Sequence, residues 1–519
     1  MRMNEKQRLF LLGALIFGAT APRVHADVKL PAVFTDHMVL QQGISVPIWG
    51  DAAPGEEVTV SILDQTKRTV ASFEGKWMVK LNPLTVNEGT VLQVSGINTI
   101  ALSNVAVGEV WLASGQSNME WTLSNTHDLD NALKEANDPL LRLFKVEKGT
   151  ADRPLSDVKG SWKLSTPETA KPFSAVGWYF GRELRKRLNV PVGVIHSSWG
   201  GTPAEAWTSG PALQADAEFG PILDRWNKYL ADYPAANERY KNEVLPRWEE
   251  ERKRAREEGR KEPERPREPL GPNSPHRPAN LYNAMIAPIV PYGVKGAIWY
   301  QGESNAPRAY QYRRLLPTMI QDWRAAWGIQ NPRDFAFYIV QLANFRAEKP
   351  EPGESDWAEL REAQTMTALM PGNGQALAID IGEANDIHPR NKRDVGIRLA
   401  VTTLAQTYGQ NIESSGPMFA AMTREGNRLR LKFSHADGLV SNATPIPGFA
   451  IAGADQKWKW GNAKIEGNEV IVWNDEIADP IAVRYGWADN PRVTLYNSSG
   501  LPAVPFRTDI WPGMTFNAR

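Results

Sequence analysis

From Gly108 onward the chain alternates short apolar runs with helix-length amphipathic stretches, and this restricts the fold more than any other feature of the sequence. Residues 110–113, 192–196, 296–300, 335–342 and 376–380 read as buried strands, and residues 310–327 as a helix following one of them. Strands separated by helices return in the same direction, so they predict an α/β domain with a mainly parallel sheet. Ligands of such sheets bind beyond the carboxyl ends of the strands, so the residues just after each run are where chemistry is sought.

The flanks have a different texture. Residues 27–107 carry short β-rich runs broken by turn signals, as in Val46-Pro47-Ile48-Trp49-Gly50 followed by Ala53-Pro54-Gly55, and predict a small β-sandwich. β-rich runs with Gly and Pro punctuation return over residues 416–519 and predict a second β domain. The α/β domain, residues 108–415, is interrupted at about 204–280 by a polar segment that includes the nearly all-charged residues 248–261, read as a helical insertion with a flexible exit. At 519 residues the chain is too long for one core, in keeping with this division. Residues 1–26 read as a secretory signal, with Arg2, Lys6 and Arg8 ahead of an apolar run and Val24-His25-Ala26 as the cleavage site, so a periplasmic or secreted protein is expected.

Charge and composition narrow the partners. Lys+Arg and Asp+Glu both number 59, so no global field draws the chain to nucleic acid or to an anionic membrane. No later stretch approaches the roughly 20 apolar residues of a membrane span. The chain has no cysteine, which excludes disulfides, thiolate nucleophiles and Cys-based metal sites. Its 19 tryptophans offer flat apolar faces suited to stacking on sugar rings, although most indoles in a folded chain are core.

Four segments following the predicted strands carry the residue types of an acyl-transfer site. Ser114-Gly115-Gln116-Ser117-Asn118-Met119-Glu120 places Ser117 near a helix N-terminus, where its backbone N–H is free to support an oxyanion; a simple N-cap role is the alternative. Ser198-Trp199-Gly200-Gly201-Thr202 contains a Gly pair that lets backbone approach a ligand, or is a plain turn. Gln301-Gly302-Glu303-Ser304-Asn305 places an amide side chain at a strand end, as a further oxyanion donor or as a cap. Asn385-Asp386-Ile387-His388-Pro389 sets an acid two residues before a histidine, able to fix its tautomer in an extended loop. A serine hydroxyl needs such a base, and the base needs an orienting acceptor. Position 119 is Met, so the Gly-x-Ser-x-Gly elbow of α/β-hydrolases is absent.

These segments resemble the sialate O-acetylesterase family of the SGNH hydrolase superfamily, with Gly115-Gln116-Ser117-Asn118-Met119 as its first block. The resemblance extends through Asp36-His37-Met38-Val39-Leu40-Gln41, Trp199-Gly200-Gly201-Thr202, Leu281-Tyr282-Asn283-Ala284-Met285-Ile286, Trp299-Tyr300-Gln301-Gly302-Glu303-Ser304-Asn305, Ile387-His388-Pro389 and Arg484-Tyr485-Gly486-Trp487. It implies a three-layer, flavodoxin-like SGNH domain with flanking all-β sandwich or jelly-roll domains. It also implies no metal or other cofactor, and removal of O-acetyl groups from sialic acid or from plant polysaccharides such as xylan and xyloglucan. Carried over, Ser117 is nucleophile and first oxyanion donor, Gly201 the second, Gln301 or Asn305 the third, and His388 the base. The superfamily often places its acid three residues before the His, where this sequence has Asn385; Asp386 is taken instead, with Asp380 and Glu303 behind it. Gln116, Glu303, Trp121, Trp199 and Trp357 are candidate substrate contacts. Two other readings compete: a catalytically inactive carbohydrate-binding protein, and a glycosidase using paired carboxylates such as Glu303 and Glu383.

Overall fold

The computed structural model describes residues 27–519; the secretory signal read at 1–26 lies outside them. The N-terminal domain is built from β1 (Val39–Gln41), β2 (Val46–Asp51), β3 (Glu57–Ile62), β4 (Gln65–Val70), β5 (Lys76–Leu81), β6 (Asn87–Ser95) and the first half of β7 (Thr99–Gly115). β2 pairs β5, while β4, β3, β6, β7 and β1 form a second sheet. Alternation in β3 and β5 puts Val58, Val60 and Ile62 inward with Trp77, Val79 and Leu81, which is the period-2 pattern of a two-sided sheet.

β7 is 17 residues long and belongs to both sheets. Up to Gly108 it pairs with β6 and β1, as in Asn87 with Val107 and Gln41 with Gly108, and from Glu109 it pairs with a strand of the α/β domain. The domain boundary read at 107–108 therefore falls inside a continuous strand, at the point where its partners change. A buried carboxylate marks that point. Glu109 accepts from Gln41 Nε2 at 3.0 Å, Gln42 Nε2 at 2.6 Å and Tyr408 Oη at 2.8 Å, and Gln41 Oε1 accepts from the Val110 N–H at 2.8 Å.

Beyond β7 the chain forms α1 (Ser117–Glu120), β8 (Asp138–Lys145), β9 (Trp162–Ser165), α2 (Ala175–Leu188) and β10 (Val192–Ser198). After the insertion come β11 (Gly296–Tyr300), a helix at Ala309–Ala326, β12 (Ala336–Gln341), a helix at Asp356–Ala368, β13 (Asn373–Leu377) and a helix at Lys392–Gln406. The strand order is β13-β12-β11-β7-β10-β8-β9, parallel except for the β8/β9 edge pair. Helices cover both faces. Successive side chains of a strand point to opposite faces; Phe337 meets Trp323 of the 309–326 helix, and the Tyr338 hydroxyl shares a hydrogen bond with that of Thr407, just after the 392–406 helix.

Register then fixes the site. Ser198 of β10 and Tyr300 of β11 both pair with Gly115, so three neighbouring strands end at the same level and release their loops together. Gly115 has φ of +138°, and a Cβ there would lie 2.2 Å from the Tyr300 carbonyl oxygen, so only glycine lets β7 end so close to β11.

The insertion departs from expectation at its exit. Helices at Gly220–Arg239 and Leu245–Glu257 are joined through a π-type turn at Tyr240–Val244 into one helical arm, roughly 57 Å long at 1.5 Å per residue. Ile222 and Trp226 anchor its base in the domain. The exit runs back along the arm: Trp248 Nε1 donates to Pro263 O at 3.0 Å and Tyr240 Oη to Pro266 O at 3.0 Å. Among the described residues no helix is long and apolar enough to cross a membrane.

The C-terminal domain has two four-stranded antiparallel sheets around one core. Leu429, Leu431, Val470 and Val472 of one sheet meet Phe449, Ile451, Val483 and Tyr485 of the other, and Leu377 and Ile379 join them from the end of β13. The Arg484-Tyr485-Gly486-Trp487 block is structural: Arg484 is buried, donates to both oxygens of Asp509 at 2.8 and 3.0 Å, and reaches Glu354 at 2.8 Å.

Glu109→Ala leaves the donors of Gln41, Gln42 and Tyr408 without their acceptor, and is expected to lower stability by about 2–4 kcal/mol in urea unfolding. An unchanged midpoint would show that the junction does not depend on this carboxylate.

Candidate active site

The loops released by β7, β10 and β11, together with the loop after β13, meet at Ser117. Its Oγ lies 2.8 Å from His388 Nε2, across 271 residues of sequence. Ser117 opens α1, and neither its backbone N–H nor that of Gly201 has a partner among the described residues. Gly200 packs directly on the serine: a Cβ there would lie 3.2 Å from Ser117 Cβ.

His388 is held on three sides. Its own N–H donates to Asp386 Oδ1 at 2.8 Å, and its Nδ1 lies 3.6 Å from the same oxygen. That is an ion-pair separation, longer than a hydrogen bond, of the kind that can tighten when substrate binds. The Trp121 indole stacks on the imidazole with ring centres 5.2 Å apart and planes 17° from parallel. Burial lowers the His388 pKa from its ordinary value, the Lys392 ammonium lowers it further, and Asp386 opposes both. A base so tuned is neutral and able to accept a proton at neutral pH.

Beneath this pair lies a buried polar cluster centred on Asn118. Its Nδ2 donates to Glu303 Oε1 at 2.6 Å and to the Ile387 carbonyl at 3.0 Å, while its Oδ1 accepts from Lys392 Nζ at 2.5 Å. One side chain therefore ties the residue beside the serine to the residue beside the histidine. Lys392 is fully buried, its ammonium 5.7 Å from the Trp121 ring and 5.6 Å from that of Tyr300. Desolvation brings its pKa down to about 7, and burial likewise raises that of Glu303, whose Oε2 has no partner among the described residues.

Several expected roles do not fit these positions. Gln301 gives its amide nitrogen to Asn305 Oδ1 at 2.6 Å and to Thr202 O at 3.3 Å, and Asn305 gives its own to Glu205 Oε2 at 2.9 Å. Gln301 has no donor left for an oxyanion, and Asn305 keeps one N–H beyond its bond to Glu205; the pair braces the loops from behind. Asp380 is taken by Arg398 in a two-pronged contact at 2.6 and 2.8 Å, which removes it as the partner of His388. Trp357 is a core residue, 3% exposed, with Nε1 on Ala343 O at 2.9 Å, and is no substrate contact. Trp121 packs on the base instead of standing free. Glu303 is locked under the site by Asn118, so the glycosidase reading with Glu383 loses its first acid. Trp199 does flank the Gly pair and remains partly exposed. Gln116 Oε1 accepts from the Gly302 and Ser304 N–H groups at 3.4 Å, leaving its amide nitrogen without a partner among the described residues.

Sequence reasoning passed over Asn118, Lys392 and Glu120. Glu120, three residues after Ser117, accepts from the Gly200 N–H at 2.7 Å and is paired with Lys148 at 2.5 Å. Its spacing was the available signal, since residues three apart share a helix face; Lys392 offered only its position four residues after His388.

Comparison with known proteins agrees with this architecture. A carbohydrate acetylesterase from Xanthomonas citri superposes with a TM-score of 0.78 at 37% sequence identity, over 93% of this chain and 100% of that one. The sialate O-acetylesterase of Mus musculus is 29% identical over 97% of this chain and 98% of the mouse protein. That of Homo sapiens is 29% identical over 94% of each. No protein-family model matches the sequence. The chain belongs to the carbohydrate acetylesterases. The sialate O-acetylesterases are its relatives at 29% identity.

Lys392→Met keeps the length of the side chain but removes its charge and its bond to Asn118. A loss of about 10- to 100-fold in kcat is expected from the misplaced loops. Removing the positive charge also raises the His388 pKa, so the acid limb of the kcat/KM profile, where the base becomes protonated, moves to higher pH. In the wild type that limb lies below the ordinary histidine value of about 6.5. A pH–rate comparison of the two proteins checks both signs.

Proposed function

We propose that this enzyme, a carbohydrate O-acetylesterase, works through an acetyl-enzyme formed on Ser117 of an SGNH-type domain, the sheet with helices on both faces serving as its three layers. The observation that carries the reading is the 2.8 Å contact between Ser117 Oγ and His388 Nε2 at the carboxyl ends of the central strands. His388 takes the hydroxyl proton as Oγ attacks the acetyl carbonyl, and the free N–H groups of Ser117 and Gly201 receive the oxyanion. Collapse expels the sugar hydroxyl, which recovers the proton from His388. Water activated by the same imidazole then releases acetate and restores the serine. Asp386 is the acceptor that favours the imidazolium, its carboxylate 3.6 Å from Nδ1.

An acetyl group demands little room, so preference among sugars resides in the surrounding loops. The Gln116 amide nitrogen has no partner among the described residues, and we assign it a contact to the substrate. Trp199, beside the Gly pair, is the aromatic face offered to a sugar ring. The substrates that fit this chemistry are acetylated sialic acids and acetylated xylan or xyloglucan. The leader read at the N-terminus places the enzyme outside the cytoplasm, where such glycans are found.

Acetate release from these substrates and from a chromogenic acetate is expected to fall by about 10⁴-fold or more in Ser117→Ala with the fold intact. Near-normal release by that variant would refute the mechanism, and absence of release by the wild type would favour a binding protein. Asp386→Asn is expected to lose about 10²-fold or more in kcat. Asp380→Asn, which weakens the contacts to Arg398 and Tyr496, is expected to lower Tm while keeping kcat. The reverse pattern would show that the acid is misassigned.

A further inference from the structure

Gly201 is exposed, has φ of +75°, and nothing lies within 4 Å of where its Cβ would be. A Gly pair with this freedom has no side chain of its own to fix which way its peptides face. Two outside side chains do so. Glu120 Oε2 accepts from the Gly200 N–H at 2.7 Å, and His276 Nε2 lies 3.0 Å from the Gly201 carbonyl oxygen. These pin the peptides before and after the one that presents the Gly201 N–H, so that group is bracketed and left free.

His276 comes from the end of the polar insertion, 75 residues from Gly201 in sequence. Its ring is preset. A carbonyl at 3.0 Å requires Nε2 to carry a proton, and Nδ1 then accepts from Ser274 Oγ at 3.4 Å. The turn that carries it is tied down independently: Asn280 Nδ2 donates to Pro272 O at 3.1 Å and Ser274 O at 3.2 Å, and the Ala279 N–H to Glu205 O at 3.0 Å. Gly271 sits so close to Tyr233 of the helical arm that a Cβ would lie 2.3 Å from its ring.

We propose that the insertion is a working part of the active site, acting through His276 as a positioning residue that holds the Gly201 peptide in its oxyanion-binding orientation. This rests on the assignment of Gly201 as a donor. His276 gives one hydrogen bond to the protein and takes no proton from the substrate, so its loss lowers kcat without touching the binding of a small acetate ester.

The test is steady-state kinetics on a chromogenic acetate with His276→Ala, His276→Gln and His276→Asn, alongside Trp248→Ala far out on the arm. His276→Ala is expected to lose about tenfold in kcat, equivalent to about 1.4 kcal/mol, with KM unchanged. Gln, whose amide nitrogen can reach the carbonyl, is expected to restore activity to within about threefold, whereas Asn, one carbon shorter, behaves as Ala; Trp248→Ala matches the wild type. If the Ala variant fails to fold, the Gln and Asn pair carries the comparison. Equal losses in Gln and Asn, a rise in KM alone, or unchanged kinetics in Ala each overturn the proposal. Ser117→Ala separates the two readings: if it stays active the catalytic assignment fails, and if it is dead while His276→Ala is normal, only the role of His276 fails.

Discussion

A single strand sets the geometry on which the site depends. β7 enters as a member of the N-terminal sandwich, passes the Glu109 junction, and leaves as the centre of a parallel sheet, so two domains share one covalent beam. Its end is pinned between Ser198 and Tyr300 by backbone pairing and not by side chains, which is why Ser117 emerges beside both the Gly pair and the Gln301 block. Parallel strands demand this coincidence less than they permit it; the missing Cβ at Gly115 turns permission into contact. The N-terminal block around Gln41 then has a physical meaning, since its amide fixes both Glu109 and the Val110 N–H just upstream.

The second constraint is electrostatic. A fully buried lysine beside a catalytic histidine is costly, and isolated burial would discharge it. Here the ammonium faces Asn118 Oδ1 and two aromatic rings, with the Glu303 carboxyl bonded to the other end of the same amide. Asn118 thus separates two opposite charges while bonding both and holding the backbone before His388. Such a cluster contributes little net stability, because desolvation of each charge offsets their attraction. Its value is geometric: the serine turn and the histidine loop, 271 residues apart, cannot move independently while Asn118 is satisfied.

What the sequence disclosed follows from this arrangement. The alternation of strands and helices, the Ser117 turn, the Gly pair and the Asp386–His388 spacing were legible because each is local, written within a few residues of a strand end. The roles of Gln301, Asn305 and Trp357 were not, since an amide or indole says nothing about which neighbour claims its N–H. Glu205, which takes the Asn305 amide, sits at the start of the polar insertion. Trp121 was recognised as an aromatic near the site, but that it supports the base instead of the sugar depends on a loop almost 270 positions away. Lys392 had no local signature, as a lysine opening a helix is ordinarily solvated.

The insertion brings these strands of argument together. A polar arm with mixed charges buries little along its length, and Tyr240 and Ala255 are its sole buried residues beyond the base. Its stability must come from the docked base at Ile222 and Trp226 and from the return segment, both of which converge on the same region as Glu205 and His276. The sheet can position the first and third loops through strand register, because β7 and β11 end in direct contact. It has less hold on the Gly pair, which leaves β10 and turns outward into solvent. A flexible donor there would lose the preorganisation that makes an oxyanion site effective. Bracing from an element outside the sheet resolves this: Glu120 reaches from the nucleophile's own helix, and His276 from the insertion. The part of the chain that looked least like an enzyme is therefore the part placed where the sheet alone leaves the catalytic backbone free to turn.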